Sequence, residues 1–321
     1  MVHSSGAWMV ASGHAHPTTV LSNADLVARV PGVEEGWIDR VLGIATRRVL
    51  LPSESLVELA VTALDDALER AGWESESVDA VICGTSFVDD LLPATASLIS
   101  AARCAGAVAF DVHAACASSL YALTVAHALM VTDDRLDRVA VCTAERPTGW
   151  ADYEDRESSI FWGDSAACIL LAREQISGSF ELVGSRLIND NEFASKVRVR
   201  PGGTFHHDGR YSYQQVMKLS EQCADEVLGE AGLTGADVRA FVGHQSNLRL
   251  LADLGDRLCV PWERQWHNVE WAGNQGAAGV ATAFSAGWAA NRDALVDGDH
   301  VLLAAVGGGY SGSATLLRWR E

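Results

Sequence analysis

The chain has 321 residues, of which 48% are hydrophobic and only 7 are proline, so it can fold around a large core. Its formal net charge of −18 argues against binding to nucleic acid or to an anionic membrane surface, because both carry negative charge. Seven cysteines without a Cys-x-x-Cys pair argue against a disulfide framework or a zinc ribbon, and they fit a reducing cytoplasm.

The sequence predicts neither export nor membrane insertion. Residues 1–16 lack the cationic start and the sustained apolar core of a signal peptide. The longest apolar run covers residues 276–290, which is shorter than the roughly 20 residues that a membrane-spanning helix needs. We therefore expect a cytoplasmic protein that does not bind a membrane.

The first half of the chain alternates predicted helices with apolar strands. Ser22 or Asn23 can cap a short first helix, and Gly72 can end a longer helix that has apolar positions at helical spacing. The predicted elements are helices at residues 24–30, 53–71, 93–106 and 116–131, and strands at residues 78–86, 107–110, 138–145 and 165–172. This alternation is typical of an α/β fold.

The second half repeats this order of elements. Its predicted helices are at residues 213–232, 247–258 and 276–291, and its predicted strands are at residues 238–244, 300–309 and 314–319. Its first strand corresponds to the strand at residues 78–86, and its small-residue helix corresponds to the helix at residues 116–131. We therefore predict two similar α/β halves, residues 1–172 with a nucleophilic cysteine and residues 173–321 with a histidine and an asparagine.

Cys116 differs from the other six cysteines because it stands between a predicted strand and a helix rich in Ala, Leu and Val. That helix is apolar on nearly every face, which indicates a helix buried on all sides. We expect Cys116 in its first turn, where the helix N-terminus favours the nucleophilic thiolate. Many cysteines are only small buried hydrophobes, and the other six fit that description.

Three further segments fall where a predicted strand ends or a helix begins. His244 ends a strand within GHQSNLR, Asn274 opens a helix within WAGNQGAAG, and a glycine triplet ends a strand within VGGGYSG. Taken singly, they are explained as a satisfied polar residue, a helix cap and a turn. Together with Cys116 they supply a nucleophile, a base and donors for an oxyanion.

The order Cys, His, Asn also occurs in papain-like proteases, in which the histidine is the base and the asparagine orients it. That class has a Cys-Gly-(Ser or Ala)-Cys context around the nucleophile. Here the context is AACASSL, in a chain with no signal-peptide pattern. We therefore set the protease alternative aside.

Six motifs resemble the β-ketoacyl-acyl-carrier-protein synthase III type of ketosynthase, within the thiolase superfamily. They are GWIDRVLGIATRR, DVHAACASSLYAL, YEDRESSIFWGDSAACILL, HQSNLR, GNQGAAG and the final GGG strand. No single motif is specific, but six in the right order along the whole chain are. The resemblance implies a five-layered αβαβα thiolase fold, usually a homodimer, that uses acyl-CoA or acyl carrier protein thioesters and no cofactor.

The resemblance also implies roles for individual residues. Cys116 is acylated by a thioester, and His244 and Asn274 hold the carbonyl oxygen of a second, malonyl-type thioester as it loses CO₂. The backbone N–H groups of Cys116 and Gly308 hold the oxygen during acylation. The residues that would contact coenzyme A or a phosphopantetheine arm are Trp37, Arg156, Asn247 and Arg249.

Departures from the family pattern suggest a specialised member, for example in a secondary-metabolite fatty-acid or polyketide pathway. Val41 stands where the family often has arginine, so one phosphate contact is missing. Ser118 and Ser119 stand where the family usually has Gly-Phe, so small hydroxyls replace a bulky pocket residue. The two serines predict a larger or more polar acyl pocket, and Leu92 is a further residue expected in that pocket.

The sequence also contains two basic segments and a pair of adjacent histidines. The basic segments Arg47–Arg48 and Arg198–Arg200 could bind an anionic ligand or simply be solvated. The two adjacent histidines of FHHDGR are not expected to bind metal, because neighbouring histidines on a loop rarely do.

Two functional alternatives stay open from the sequence. Cys116 could pass its acyl group to an oxygen, nitrogen or sulfur acceptor with His244 as the general base, without forming a carbon–carbon bond. The chain could also be a non-catalytic partner of another ketosynthase, although such subunits usually lack the nucleophile that Cys116 supplies.

Overall fold

The computed structural model describes residues 6–34 and 36–321, so residues 1–5 of the predicted N-terminal half lie outside the described part. Its strands are β1 (Trp8–Ala15), β2 (Val20–Ser22), β3 (Thr46–Arg48), β4 (Ala80–Gly84), β5 (Val108–Val112), β6 (Arg138–Glu145), β7 (Ser165–Ala172), β8 (Ser179–Asn189), β9 (Val197–Arg198), β10 (His206–His207), β11 (Ala240–Val242), β12 (His300–Gly307) and β13 (Ser311–Arg320). Its helices are α1 (Asn23–Arg29), α2 (Trp37–Leu42), α3 (Leu56–Ala71), α4 (Thr95–Arg103), α5 (Ser118–Thr132), α6 (Arg156–Ser159), α7 (Gly209–Glu230), α8 (Leu248–Leu258), α9 (Val269–Ala272) and α10 (Ala278–Asn291).

Nine of these strands form one sheet in the order β11-β12-β13-β8-β1-β7-β6-β4-β5. The sheet has two parts, one that ends with β8 and one that starts with β1 in this order. They meet where Trp8 of β1 lies opposite Glu181 of β8 and Met9 lies opposite Phe180. In one part β4 is parallel to β6, and β7 is antiparallel to both of its neighbours. In the other part β11 is parallel to β12, and β13 is antiparallel to both of its neighbours, so the parts repeat one topology.

This repeat confirms the predicted fold with two similar halves. The first part continues from β4 to the parallel edge strand β5, whereas the second part has at that place the parallel bridge of Phe241 with Gln265. The chain passes from the first part of the sheet to the second between Ala172, the last residue of β7, and Ser179, the first residue of β8. The boundary at residue 172 stays a prediction.

Helices cover both faces of each part of the sheet. The five layers αβαβα are therefore outer helices, the first part of the sheet, central helices, the second part of the sheet and outer helices. α3 and α4 pack on the outer face of the first part, and α7 packs on the outer face of the second, with α8 against it. α5 and α10 form the central layer, since each contacts strands of both parts. All eight residues of β7 are buried, as expected of a strand that is covered on both faces.

α5 forms most of an apolar stretch that starts beside the nucleophile. Residues Ala115–Thr132 are long and apolar enough to cross a membrane by length and composition alone, and 44% of this stretch is buried. We attribute the composition to the central layer, because α5 contacts strands of both parts of the sheet. The expectation that the helix is buried on every side is wrong for one face, where Ala128 and Val131 are exposed.

Most predicted elements occur in the structure with shifted ends, but β1 and β8 were not predicted from the sequence. β1 has the sequence WMVASGHA, in which small residues replace the branched and aromatic residues typical of strands. Its Gly13 faces α3 so closely that an added Cβ would overlap the carbonyl oxygen of Ala63. Close packing on a helix therefore explains why this strand lacks an obvious strand pattern.

Candidate active site

Cys116 lies in the turn between β5 and α5. Ala115, just before it, has a φ of +48°, a left-handed conformation that is uncommon for residues with a Cβ atom. Ser118 holds the turn, because its Oγ accepts the N–H of Ala114 over 2.8 Å and donates to the carbonyl of Ala115 over 2.6 Å. α5 begins at Ser118, so Cys116 precedes the helix and does not lie in its first turn as expected.

Two glycines allow neighbouring strands to approach this turn. A Cβ atom on Gly84, at the end of β4, would overlap the carbonyl oxygen of Ser118. A Cβ atom on Gly307, at the end of β12, would overlap the carbonyl oxygen of Ala114. The nucleophile turn is therefore fixed by backbone contacts from both parts of the sheet.

His244 follows β11 and is buried. Burial lowers the pKa of its imidazole to about 4, so the ring is neutral at physiological pH. Its Nδ1 atom is buried and has no hydrogen-bond partner within the described residues. Nε2 is therefore the nitrogen that is available to a ligand in the neighbouring cavity.

Asn274 lies in the turn between α9 and α10, and its backbone is paired with the segment before β7. Its N–H donates to the carbonyl of Phe161 over 2.7 Å, and its carbonyl accepts the N–H of Gly163 over 3.0 Å. Its side-chain Oδ1 accepts the N–H of Gly276 over 3.1 Å. The amide oxygen is thus occupied, and the NH₂ group is the donor that remains for a ligand.

One cavity of about 930 Å³ brings the predicted catalytic groups together. The predicted catalytic and oxyanion residues on its wall are Cys116, His244, Asn274 and Gly308. They come from four separate segments, each at the end of a strand or just before a helix. The fold therefore places a thiol, a neutral imidazole, an amide and a glycine backbone around one space.

Trp37 and Arg156 lie at a more exposed part of the same cavity. The guanidinium of Arg156 lies over the indole ring, 5.2 Å from its centre, as in a cation–π pair. Asn247 also lines the cavity, while its side chain caps α8 by accepting the N–H of Leu250 over 2.9 Å. An indole beside a guanidinium suits a ligand that has a planar ring and a phosphate.

The aromatic part of the cavity wall was not predicted from the sequence. The aromatic residues concerned are Phe87, Trp150, Phe161, Trp162 and Phe205. The ring of Trp162 is central, with centroid distances of 5.3 Å to Phe87 and 4.9 Å to Phe205. The consecutive aromatic residues of IFWGD were the available signal, and they give the cavity an apolar wall that suits an acyl group.

Comparison with known proteins decides the family. Residues 110–191 match the family profile described as 3-oxoacyl-(acyl-carrier-protein) synthase III, and residues 228–319 match the profile of its C-terminal region. The chain is 32% identical over 317 residues to the β-ketoacyl-(acyl-carrier-protein) synthase III of Cereibacter sphaeroides, which covers 96% of this chain and 97% of that protein. The chain belongs to the β-ketoacyl-acyl-carrier-protein synthase III family.

Solved structures agree with this assignment along almost the whole chain. The synthase III of Aquifex aeolicus has a TM-score of 0.91 at 28% identity, covering 97% of this chain and 99% of that one. The priming β-ketosynthase of the R1128 polyketide pathway has a TM-score of 0.88 at 27% identity, covering 98% of this chain and 96% of that one. The chain is thus a transferase of the condensing type, a class whose substrates are thioesters and whose chemistry needs no cofactor.

Four residues that the resemblance to synthase III assigned to the site lie outside the cavity wall. Ser118 and Ser119 are buried at the start of α5, and the Ser118 hydroxyl is used within the nucleophile turn. Leu92 is 86% exposed, and Arg249 is exposed on the first turn of α8. The placement of the two serines and of Leu92 does not support the expected larger or more polar acyl pocket.

The two basic segments behave differently. Arg47 is buried and donates to the carbonyl of Ile160 over 2.9 Å and to Oδ1 of Asn23 over 2.6 Å, so it is a structural residue. Arg198 and Arg200 are exposed, and Arg198 lines the cavity. Arg198 is therefore placed to meet an anionic ligand of a synthase III enzyme, and Arg47 is not.

The surroundings of the half-buried Cys116 favour the neutral thiol by raising its pKa. Burial raises its pKa to about 12, and the negative charge of Glu145 adds to the shift when that carboxyl is ionised. Burial also raises the pKa of Glu145 to about 8, so Glu145 is neutral at pH 7. The position beside the helix N-terminus was expected to make this thiol ionise more readily, whereas burial acts in the opposite direction and raises its pKa.

Within residues 6–34 and 36–321, no group of three His, Cys, Asp or Glu side chains is arranged to hold a metal ion. His207 lines the cavity, and its Nε2 lies 3.0 Å from the carbonyl oxygen of Glu157. His206 pairs through its backbone with Arg198. The two histidines thus belong to a short hairpin beside the cavity.

Proposed function

We propose that this synthase III family member is an acyltransferase that loads an acyl group from a thioester onto Cys116 and condenses it with a malonyl-type thioester. One observation carries the proposal, namely that Cys116, His244 and Asn274 share the wall of a single cavity. A nucleophile beside two neutral donors is the set of groups that both steps need.

In the first step the sulfur of Cys116 attacks the carbonyl carbon of the acyl thioester. The bond from that carbon to the sulfur of the donor breaks, and the departing thiolate takes up the thiol proton. The backbone N–H groups of Cys116 and Gly308 stabilise the oxyanion, each by about 3–4 kcal/mol on the scale of known oxyanion donors. Glycine at position 308 lets the backbone approach Val197 closely, because a Cβ there would lie 2.8 Å from Cγ1 of that residue.

In the second step the malonyl-type thioester loses CO₂, and the electron pair of the broken bond forms an enolate. His244 and the NH₂ group of Asn274 donate hydrogen bonds to the enolate oxygen. The enolate carbon attacks the acyl carbonyl, and Cys116 leaves as a thiolate that is then reprotonated. A histidine whose pKa is lowered to about 4 suits this role, because the neutral ring still has one N–H to donate but is too weak an acid to protonate the enolate.

The thioester arrives on coenzyme A or on the phosphopantetheine arm of an acyl carrier protein. Three exposed arginines line the cavity, namely Arg156, Arg198 and Arg210. Their positive charge stands out on a chain whose net charge is −18, and it favours phosphate or an acidic carrier protein at this opening. The stacked pair of Trp37 and Arg156 would hold the adenine of coenzyme A.

The acyl group is apolar on this proposal, and the pathway is a specialised fatty-acid or polyketide pathway. The aromatic cavity wall around Trp162 favours a hydrocarbon chain or ring over a charged group. The likeness to a priming ketosynthase of a polyketide pathway, at 27% identity, is consistent with this assignment.

The proposed enzyme is a homodimer in the cytoplasm. β5 is the terminal strand of the sheet, and its Val108 is 56% exposed. α5 packs beside it and exposes Val131 to 57%. An apolar edge strand next to an apolar helix face favours pairing with a second copy. Light scattering after size-exclusion chromatography tests this directly, and a monomer at micromolar concentration contradicts it.

The function is tested by incubating the purified protein with a panel of acyl-CoA esters and a malonyl thioester. We expect release of CO₂ and a β-ketoacyl product, and neither from Cys116→Ala. Absence of both products with every acyl donor would remove the condensation proposal. If Cys116→Ala instead left the output of the whole pathway unchanged, the chain would be a non-catalytic partner subunit.

Simple acyl transfer is the competing outcome of the same assay. In that case Asn274→Ala keeps the transfer of the acyl group to an oxygen, nitrogen or sulfur acceptor, because no enolate has to be stabilised. On the condensation proposal Asn274→Ala still forms the acyl-enzyme but yields no carbon–carbon product. The pocket serines that favoured transfer lie away from the cavity, so the structure supplies no separate support for it.

A further inference from the structure

A series of buried side-chain amides connects the segment of His244 with the segment of Asn274. Gln245 follows the histidine and Gln275 follows the asparagine, and both glutamines are fully buried. Asn268, which is also buried, lies between them. None of the three amides lines the cavity, so they do not touch a substrate there.

Asn268 makes the two contacts that join the segments. Its backbone N–H donates to Oε1 of Gln245 over 3.1 Å, and its Oδ1 accepts from Nε2 of Gln275 over 2.8 Å. The remaining amide group of Gln245 donates to the carbonyl of Gly243 over 2.8 Å. Nε2 of Gln275 also lies 3.3 Å from the carbonyl of Gly273. Each glutamine is therefore tied to the backbone just before a cavity residue.

Thr282 on α10 and His16 after β1 complete the hydrogen-bond network of these amides. Oγ1 of Thr282 accepts from Nδ2 of Asn268 over 3.0 Å and donates to Oε1 of Gln275 over 2.8 Å. Nε2 of His16 lies 3.1 Å from the same Oε1. A flipped Gln275 amide would set its oxygen against the oxygens of Asn268 and Gly273, so the contacts select one orientation.

Burial makes this arrangement rigid. The side chains of Gln245, Gln275 and Thr282 have no exposed surface, and an amide that lost its partner here would find no water to replace it. α10 packs directly on the network, because a Cβ on Gly279 would lie 2.9 Å from Cβ of Gln245. The network therefore holds the two segments in a single relative position.

We propose that Asn268, with Gln245, Gln275 and Thr282, forms a positioning unit that fixes how His244 and Asn274 are spaced around the enolate oxygen. The inference rests on the roles proposed above for those two donors. Its hydrogen bonds reach the segments of both donors and not the turn of Cys116, so it acts on condensation and not on acylation.

The test compares Thr282→Val, which removes the hydroxyl and keeps the shape of the side chain, with Thr282→Ser, which keeps the hydroxyl. Two rates are measured for each variant: acylation of Cys116 by intact-protein mass spectrometry, and CO₂ release from a malonyl thioester by the acylated enzyme. We expect Thr282→Val to lower kcat for condensation about tenfold or more, with acylation and the KM for the malonyl thioester changed less than about twofold. Thr282→Ser restores condensation to within about twofold of the wild-type rate.

Asn268→Ala provides a second variant, since it removes the contact with Gln275 while the backbone contact with Gln245 stays. It is expected to show the same selective loss of condensation. Thermal unfolding is recorded for all variants. Normal condensation in folded Thr282→Val and Asn268→Ala overturns the inference, and an equal loss of acylation and condensation in both overturns it as well.

His244→Ala and Asn274→Ala in the same assay separate this inference from the proposed function. If these two variants condense normally, the proposed function fails and the positioning unit fails with it. If they lose condensation while the Thr282 and Asn268 variants keep it, the proposed function stands and only the positioning unit is refuted.

Discussion

The backbone N–H of Gly276 donates to Oδ1 of Asn274 over 3.1 Å, and this contact decides which end of the amide faces the cavity. The residue that makes it is itself constrained. Gly276 has a φ of +58°, and a Cβ there would lie 2.6 Å from a carboxyl oxygen of Glu145. The turn before α10 thus presents Asn274 as a hydrogen-bond donor.

Asn274→Asp tests this orientation, because it replaces the donor with an acceptor while Gly276 keeps its partner. We expect kcat for condensation to fall by about 10²–10³, with the rate of Cys116 acylation little changed. Asn189→Asp adds the same charge outside the cavity and serves as the control. Stopped-flow detection of CO₂ and mass spectrometry of the acyl-enzyme give the two rates. Wild-type condensation by Asn274→Asp would show that Asn274 does not donate to the enolate.

Glu145 makes stability depend on pH. Its carboxyl oxygens accept the N–H groups of Ser86 over 2.6 Å and Phe87 over 3.3 Å, and burial raises its pKa to about 8. The folded protein thus holds a proton that the unfolded chain releases near pH 4.5, so the stabilisation is complete below pH 4.5 and is lost as pH rises to 8. Glu145→Gln removes the titration.

The free energy of unfolding of wild type and Glu145→Gln is therefore compared by urea titration between pH 5 and pH 9. We expect the wild type to lose stability relative to the variant by up to about 1.4 kcal/mol per pH unit below pH 8, and to level off above it. A difference that is constant across the range would mean that Glu145 is ionised in the folded protein.

Gly307 holds the Cys116 turn by close backbone contact, so Gly307→Ala should act on both stability and acylation. The added Cβ would overlap the carbonyl oxygen of Ala114 and displace the turn. We expect a loss of about 1–3 kcal/mol in the free energy of unfolding and at least about tenfold slower acylation. The control is Gly229→Ala within α7, where nothing lies within 4 Å of the new Cβ and helix propensity improves. Equal acylation rates for the two variants would contradict this account.

Trp37 is expected to bind the donor thioester and to take no part in the chemistry. Trp37→Ala should raise the KM for acyl-CoA by about 3- to 30-fold, since it removes the ring that stacks with Arg156 and the adenine, and should leave kcat unchanged. Trp73→Ala is the matched control, because Trp73 also stacks with an arginine, Arg138 at 4.7 Å, but lies outside the cavity. A fall in kcat with an unchanged KM in Trp37→Ala would refute the binding role.

The positions of the residues that lie in turns between strands and helices could be predicted from the sequence. Cys116, His244 and Asn274 each stand where a strand ends or a helix is about to begin, and the motifs around them carry the glycines that such turns need. The alternation of helices and strands indicated the α/β class, but the order of the strands was not predicted, because β1 and β8 at the middle of the sheet were missed. The locations of the cavity residues therefore came from local patterns that the sequence displays.

Side-chain direction and solvation could not be predicted in this way. Ser118 was expected in the acyl pocket, yet its hydroxyl bonds to the backbone of the nucleophile turn. The Cys116 thiol was expected to ionise more readily beside a helix N-terminus, yet its burial raises the pKa to about 12. The contact of Asn268 with Gln275 joins residues on different elements, and no sequence pattern indicates such a pair.

The central claim is that Cys116 carries the acyl group. Intact-protein mass spectrometry after incubation with a panel of acyl-CoA esters tests it most directly, with Cys116→Ala treated in parallel. We expect one acyl mass to be added to the wild type and none to the variant, and the added mass identifies the acyl group. An equal mass gain in Cys116→Ala would contradict the account, because the acyl group would then be held by another residue.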